Sequence, residues 1–252
     1  MYKEKLKLPN VTLAAMTSVN VYETVKALEY SMRGIEFGDV MLITHKKPFY
    51  LPKNIRYVHT ERLTSIDDFN YRMVYELCDY INTDYVLTVH HDGFIVHPEK
   101  WRDDFLDYDY IGSPWPAPDE TNLFRDVDGN PARVGNSVGI RSKRLLEFPR
   151  KAQLEWTRDA QGLFNEDVFL CCRYKKVIEG AGMRFAPLEV AKYFGHEMPI
   201  PEIEDVDEPF LFHKWHGRNI AYPRFINPVY RPLYYAKKIL RPIVYSIIPE
   251  KK

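Results

Sequence analysis

Thr83-Asp84-Tyr85-Val86-Leu87-Thr88-Val89-His90-His91-Asp92-Gly93-Phe94 passes from an unbroken apolar run into a cluster of ionisable residues closed by glycine. The run Tyr85–His90 predicts a strand buried on both faces, as the strands of parallel sheets are. Toward the N-terminus, Val11–Met16 repeats the pattern and ends at Thr17-Ser18; Asp39–Thr44 repeats it again, and Ile55–His59 is a shorter, more polar strand. Between the first two strands, Tyr22–Met32 carries Val25, Leu28 and Met32 at helical spacing, with Gly34 as a stop. Before the fourth strand, Asp67 and Asp68 are placed to cap a helix from Phe69 to about Tyr80, with Met73, Val74 and Leu77 on one face. Strand, helix, strand, strand, helix, strand is the order of an α/β domain with a mainly parallel sheet flanked by helices. Ligands of such sheets sit beyond the carboxyl ends of the strands. His90-His91-Asp92-Gly93 therefore lies where a site is expected.

Downstream the pattern is less regular. Tyr110-Ile111-Gly112 predicts a short strand, Ser113–Arg133 a mobile loop rich in Pro, Gly and Asp, and Val134–Ile140 an extended segment. Asn165-Glu166-Asp167 stands before a predicted helix running to about Glu179 and closed by Gly180 and Gly182, and Arg184-Phe185-Ala186 starts another strand. The composition changes at Pro228. The expected organisation is one domain over residues 1–227 and a basic, apolar tail over 228–252.

Lys+Arg and Asp+Glu both total 35, so the formal net charge is zero and no nucleic-acid partner is expected. With 252 residues, 45% of them hydrophobic, the chain can bury a core without covalent staples. Cys78, Cys171 and Cys172 form neither a disulfide framework nor zinc-ligand spacing, which predicts a reducing, cytoplasmic setting. Met1–Lys7 is charged but has no apolar run behind it, so no signal peptide is expected, and no apolar stretch is long enough to span a bilayer.

Three groupings carry chemistry. Asp92, just past a buried strand and followed by a glycine, suits a hard divalent cation, with His90 beside it in a His-x-Asp pattern. A plain Asp-Gly turn is the structural alternative. Glu166 and Asp167 at a helix start suit a base that takes a hydroxyl proton, although acidic residues at helix starts also serve the helix dipole. His213, after the apolar run Phe210-Leu211-Phe212, is placed to return to the same cation; His216, three residues on, is the other candidate.

In this order, the central stretch from Thr83 to Phe94, then Asp109-Tyr110-Ile111-Gly112-Ser113-Pro114-Trp115, Gly135-Asn136-Ser137-Val138-Gly139-Ile140-Arg141-Ser142, Asn165-Glu166-Asp167 and Phe212-His213 resemble a GT-A-like glycosyltransferase family known as a domain of unknown function. The similarity covers roughly residues 10 to 218. It departs where the family often has Gln-Trp-Asp-Gly against His90-His91-Asp92-Gly93, and Gly-Asn-Gly-Gly-Phe against Gly135-Asn136-Ser137-Val138-Gly139. The resemblance implies a Rossmann-like GT-A sheet and an inverting hexosyl- or related transferase using Mn2+ or Mg2+. The donor would be a UDP- or GDP-sugar and the acceptor a glycan or lipid-linked hydroxyl, in glycan or polysaccharide synthesis. It implies that Asp92, His90 and His213 hold the metal and that Asp167, or less favoured Glu166, is the base. Thr17, Ser18, Val19, Asn70, Arg72, His91 and Asp92 would contact the nucleotide-sugar, and Trp115, Asn136 and His216 would line the acceptor or sugar pocket. The aromatic content of 14% suits a core first and sugar-stacking walls second.

Two other readings use the same residues. His90, Asp92 and His213 match a 2-His-1-carboxylate iron oxygenase, with Arg224 to hold an oxoacid, but those enzymes are jelly rolls. A GT-A module that binds sugar nucleotides without catalysis fits the missing first Asp of Asp-x-Asp. The tail sets Arg231, Lys237, Lys238, Arg241, Lys251 and Lys252 against the single acid Glu250. Interleaved apolar residues suit either packing on the domain or a second subunit, or peripheral contact with the cytoplasmic face of a membrane.

Overall fold

β1 (Leu6–Met16) is buried throughout its second half, Val11–Met16, because it lies inside the sheet with a strand on either side. The structure, a computed structural model, describes residues 4–119, 124–158, 164–203, 206, 208–232 and 234. After β1 come α1 (Val21–Ser31), β2 (Ile35–Thr44), β3 (Arg56–His59), α2 (Ile66–Tyr75) and β4 (Tyr85–Thr88). β5 (Gly93–Ile95), β6 (Tyr110–Pro114) and β7 (Val134–Ser142) follow, and the main sheet has the order β3-β2-β1-β4-β7-β6. The first four of these strands are mutually parallel, and β7 runs antiparallel to both of its neighbours. This is the expected α/β architecture, a mixed, mainly parallel sheet flanked by helices, and it is not a jelly roll.

Alternate residues of β1 serve opposite faces, as strand geometry requires. Leu13 and Ala15 join Val40, Leu42, Val25 and Leu28 in one core cluster, while Ala14 and Met16 join Met41, Ile43, Met73 and Leu77 in another. α1 and α2 thus cover the two faces and leave the carboxyl ends of β1, β2 and β4 on one open edge. A second small sheet lies across that edge. β5 pairs antiparallel with β9 (Leu211–His213), with Gly93 opposite His213, and β9 pairs parallel with β8 (Gly195–His196).

Several elements depart from the sequence reading. The α2 cap is Ser65, whose Oγ accepts from the Asp68 amide at 3.0 Å; Asp68 itself accepts from the Thr64 amide and from Arg72. α2 stops at Tyr75 and continues only as a tight turn at Leu77–Asp79. Ser142 starts an unexpected helix, α3 (Lys143–Lys151), by accepting from the Leu145 amide. The helix expected to run to Glu179 is broken into α4 (Glu166–Val168), a wide turn at Phe169–Arg173, and α5 (Lys175–Gly180). In the wide turn the Tyr174 amide reaches back five residues to the Phe169 carbonyl, the π-type bond that loosens a helix locally. Arg184–Ala186 makes only a single bridge to Tyr110, because Pro187 begins α6 (Leu188–Phe194) at once. Within Ser113–Arg133, β6 extends through Pro114, and Asp126 closes a turn by accepting from the amides of Asp128 and Asn130; residues 120–123 lie outside the described residues. All three cysteines are buried, and among the described residues they form no disulfide. Among the described residues, no helix is long and apolar enough to cross a membrane.

Candidate active site

A cavity of about 730 Å³ opens where the two sheets meet. Its first wall is the end of β1. The Ser18 hydroxyl accepts from the Leu63 amide at 2.9 Å and bonds His45 Nδ1 at 3.1 Å, and the Thr17 hydroxyl closes a turn on Val19. Thr17, Ser18 and Val19 all line the cavity, as does His91, held by Asn20 at 3.2 Å. Asn70 also lines it, but its amide donates to the Phe164 carbonyl and so ties α2 to the loop before α4.

Arg72 is not brought to the site. It is held on the α2 surface by Asp68 at 2.8 Å, Glu76 at 3.2 Å and Thr60 at 3.0 Å. Nor is His216, which is exposed ahead of the turn Gly217–Ala221 and does not line the cavity. Arg224 lies over the Trp215 ring, with its guanidinium 4.6 Å from the ring centroid.

His90, Asp92 and His213 converge, each offering a ligand atom within 4.8 Å of the others. His213 Nε2 stands 3.8 Å from Asp92 Oδ1, and His90 meets the His213 ring edge-on at 5.5 Å between centroids. Among the described residues, His90 Nε2 is buried without a hydrogen-bond partner, which suits a metal-ligating nitrogen. Burial, with His213 adding to it, pushes the His90 imidazole well below its ordinary range, so the ring is neutral and has a free lone pair. Burial opposes ionisation of Asp92, but His213 and His91 outweigh it and hold the carboxyl below its ordinary value. This donor set fits a hard divalent cation.

Gly93 does more than make a plain Asp-Gly turn. A Cβ there would stand 2.7 Å from the His213 ring and 2.7 Å from Val138, so the absent side chain makes room for the histidine. A second group, His97 with Glu99 and Glu208, has two exposed carboxylates and does not line this cavity.

Glu166 and Asp167 face opposite demands. Glu166 is wholly buried in an ion pair with the equally buried Arg141, at 3.1 Å. Asp167 keeps partial access through the cavity and accepts the amide of Val168 at 2.8 Å. Burial, with the neighbouring Glu166 charge, pushes its carboxyl up to about 7.

Trp115 and Asn136 line the far wall. The Trp115 indole stacks on Phe124 at 4.1 Å, and Gly135 is a glycine because any side chain would enter that indole. The Asn136 side chain is engaged at both ends, donating to Glu197 at 2.8 Å and accepting from the Val138 amide at 2.9 Å. Glu197 and Lys214 were not legible from any motif. Glu197 accepts from Lys214 at 2.6 Å; burial opposes its ionisation, but His213 and Lys214 overcome this and bring its carboxyl down to about 2. The only signal was a carboxylate after the apolar, glycine-closed run Tyr193-Phe194-Gly195.

The family model described as "Protein of unknown function (DUF5672)" matches residues 53–213, which run from the loop before β3 to the last candidate ligand. The chain belongs to that family. No curated protein matches its sequence. Two solved structures share the family member's architecture. The galactosyltransferase LgtC in complex with donor and acceptor sugar analogues aligns over 90% of this chain and 99% of its own, with TM-score 0.50 and 15% identity. An active-site mutant of LgtC aligns over 88% and 98%, again with TM-score 0.50 and 15% identity. At that identity the likeness is one of fold, and the fold is that of GT-A glycosyltransferases.

Proposed function

We propose that this chain is a metal-dependent glycosyltransferase. It moves a sugar from a UDP- or GDP-sugar to a hydroxyl of a glycan or lipid-linked acceptor, with inversion, in glycan or polysaccharide synthesis at the cytoplasmic side. The observation that carries the reading is the meeting of two chemistries on one cavity at the carboxyl ends of parallel strands: the His90, Asp92 and His213 ligand set, and the carboxylate of Asp167 raised to about 7. Among the described residues lining the cavity, Lys214 is the one lysine or arginine, and Glu197 offsets its charge at 2.6 Å. A diphosphate there would meet Asp92, Asp167 and Glu197 with little to balance it, so a divalent cation is required to hold it. Mn2+ or Mg2+ suits carboxylate and imidazole donors. When bound, the ion neutralises the diphosphate and stabilises its departure.

The protein's own groups do the rest. Thr17, Ser18, Val19 and His91 hold the nucleotide end, and Trp115 and Asn136 shape the sugar and acceptor end. The Asp167 carboxylate takes the proton of the acceptor hydroxyl as that oxygen bonds to the anomeric carbon. The bond from that carbon to the diphosphate breaks, and its electron pair leaves with the nucleoside diphosphate. Direct attack needs only this one base. The catalytic domain is assigned to residues 1–227, a boundary supported by the Asn227 amide donating to Glu23 of α1 at 2.9 Å.

The test is to supply UDP- and GDP-sugars with and without Mn2+ and to measure donor consumption and nucleotide release. Turnover that requires the metal, and is lost in Asp92→Ala with the circular dichroism unchanged, is expected. Full activity in excess chelator would remove the metal from the reading. Binding without turnover across the donors would leave a sugar-nucleotide-binding module.

A further inference from the structure

Glu197 is built into the site with unusual care. Its side chain is only 8% exposed, and each oxygen is claimed: Oε2 accepts from Asn136 Nδ2 at 2.8 Å and Oε1 from Lys214 Nζ at 2.6 Å. Both donors stand at positive φ without being glycine, Asn136 at +102° and Lys214 at +60°. Such backbone is strained and persists only where the surroundings hold it. Asn136 is held by the Tyr110 hydroxyl on its carbonyl at 2.6 Å, and Lys214 by its amide donating to the Asp92 carbonyl at 2.7 Å. Two strained residues, Asn136 within β7 and Lys214 just past the end of β9, thus turn toward one carboxylate.

That carboxylate faces His213. Glu197 Oε1 lies 3.6 Å from His213 Nδ1, which is buried and has no hydrogen-bond partner among the described residues, while Nε2 on the other side of the ring faces Asp92 at 3.8 Å. A neutral imidazole binds a metal through one nitrogen only, and the partner of the other nitrogen decides which. The ring cannot swing away from this line on the Gly93 side, where it already fills the space of a missing Cβ.

We propose that Glu197 is a positioning residue for the cation site: clamped by Asn136 and Lys214, it accepts the Nδ1 proton of His213 and leaves Nε2 bare beside Asp92. This rests on the metal reading above, and two measurements separate them. The first uses metal-free protein labelled with ¹⁵N-histidine. Long-range ¹H–¹⁵N correlation reads the His213 tautomer, with the signal assigned by its loss in His213→Ala. The wild type is expected to be the Nδ1–H form, and Glu197→Ala a mixture; Glu197→Gln, which keeps an acceptor, is expected to restore Nδ1–H. An Nε2–H tautomer in the wild type overturns the inference even if neither variant folds. The second measurement is Mn2+ binding by electron paramagnetic resonance. Glu197→Ala is expected to weaken it about 10–100-fold, the usual worth of such a partner, at a Tm that shows a folded protein. Binding that His213→Ala abolishes but Glu197→Ala leaves unchanged sinks the role of Glu197 alone. A wild type that binds no Mn2+ sinks the metal site itself.

Discussion

Burial raises the Asp167 carboxyl to about 7, whereas Glu166 beside it closes an ion pair with Arg141 at 3.1 Å. Substitutions at these two neighbours should therefore fail in different ways. Asp167→Asn should leave nucleotide-sugar affinity within a few-fold but slow the chemical step by about 10²–10⁴; a product that keeps the donor's anomeric configuration would overturn the base assignment. Because the base must be ionised, the wild-type rate should fall about tenfold per unit as pH drops below about 7. The sign for stability is the reverse. The folded carboxyl holds its proton to about 7 against an ordinary 3.8, so its favourable contribution is complete below about 3.8 and is lost as pH rises through about 7. Asp167→Asn should accordingly raise Tm more at pH 8 than at pH 5. Glu166→Ala, by contrast, leaves the Arg141 charge buried and unpaired, which costs about 3–5 kcal/mol; denaturant unfolding would show it, and a loss under about 1 kcal/mol would refute the pairing argument. The motif Asn165-Glu166-Asp167 was legible in the sequence. The division of labour within it was not, because it depends on Arg141, which sits 25 residues earlier on β7.

Short elements decide the site, and short elements are what periodicity reads worst. β1, α1, β2 and β4 announced themselves by apolar runs and helical spacing, and the expected sheet followed. β5, β8 and β9 have three, two and three residues, too few for any pattern, yet they bring Gly93, Glu197 and His213 together. Glu197 went unseen for that reason. α3 was missed because its sequence, Lys143-Arg144-Leu145-Leu146-Glu147-Phe148-Pro149-Arg150-Lys151, is mostly charged and contains a proline, so its narrow buried stripe of Leu145, Leu146 and Pro149 is easily overlooked. The apolar strand pairing of β5 with β9 makes a sharp forecast. Gly93→Ala would force a methyl to within 2.7 Å of both the His213 ring and Val138. Overpacking of this kind costs about 1–3 kcal/mol. Here it should also displace a ligand, so Mn2+ affinity should drop with Tm. A variant with wild-type Tm and wild-type Mn2+ binding would show that the glycine is not there for the histidine.

At the scale of the molecule, charge is unevenly divided. The whole chain balances 35 bases against 35 acids, but the segment from Pro228 holds six bases and one acid, so the body before it is net acidic. Residues 233 and 235–252 lie outside the described residues, and the sequence is the guide to them. Where the chain leaves the body, Val229 and Tyr230 are exposed, at 77% and 61%. Beyond them Leu233, Tyr234, Tyr235, Ile239, Leu240, Ile243, Val244, Tyr245, Ile247 and Ile248 alternate with the basic residues, divided by Pro232, Pro242 and Pro249. In the sequence, Pro232 and Pro242 leave room for only about two helical turns between them, which argues against a long amphipathic helix. Basic side chains are drawn to anionic headgroups, and tyrosines and short apolar groups settle at the interface. An acidic body would be repelled by the same surface, which would hold the protein by its tail with the rest of the molecule turned away. The full-length protein should therefore co-sediment with anionic liposomes at low salt, more weakly as salt rises, and a version ending at Asn227 should not. Turnover of a soluble acceptor should be the same for both. Equal sedimentation of the two would remove the membrane role. Loss of folding in the shortened form would instead assign the tail to packing against its own domain or a second copy.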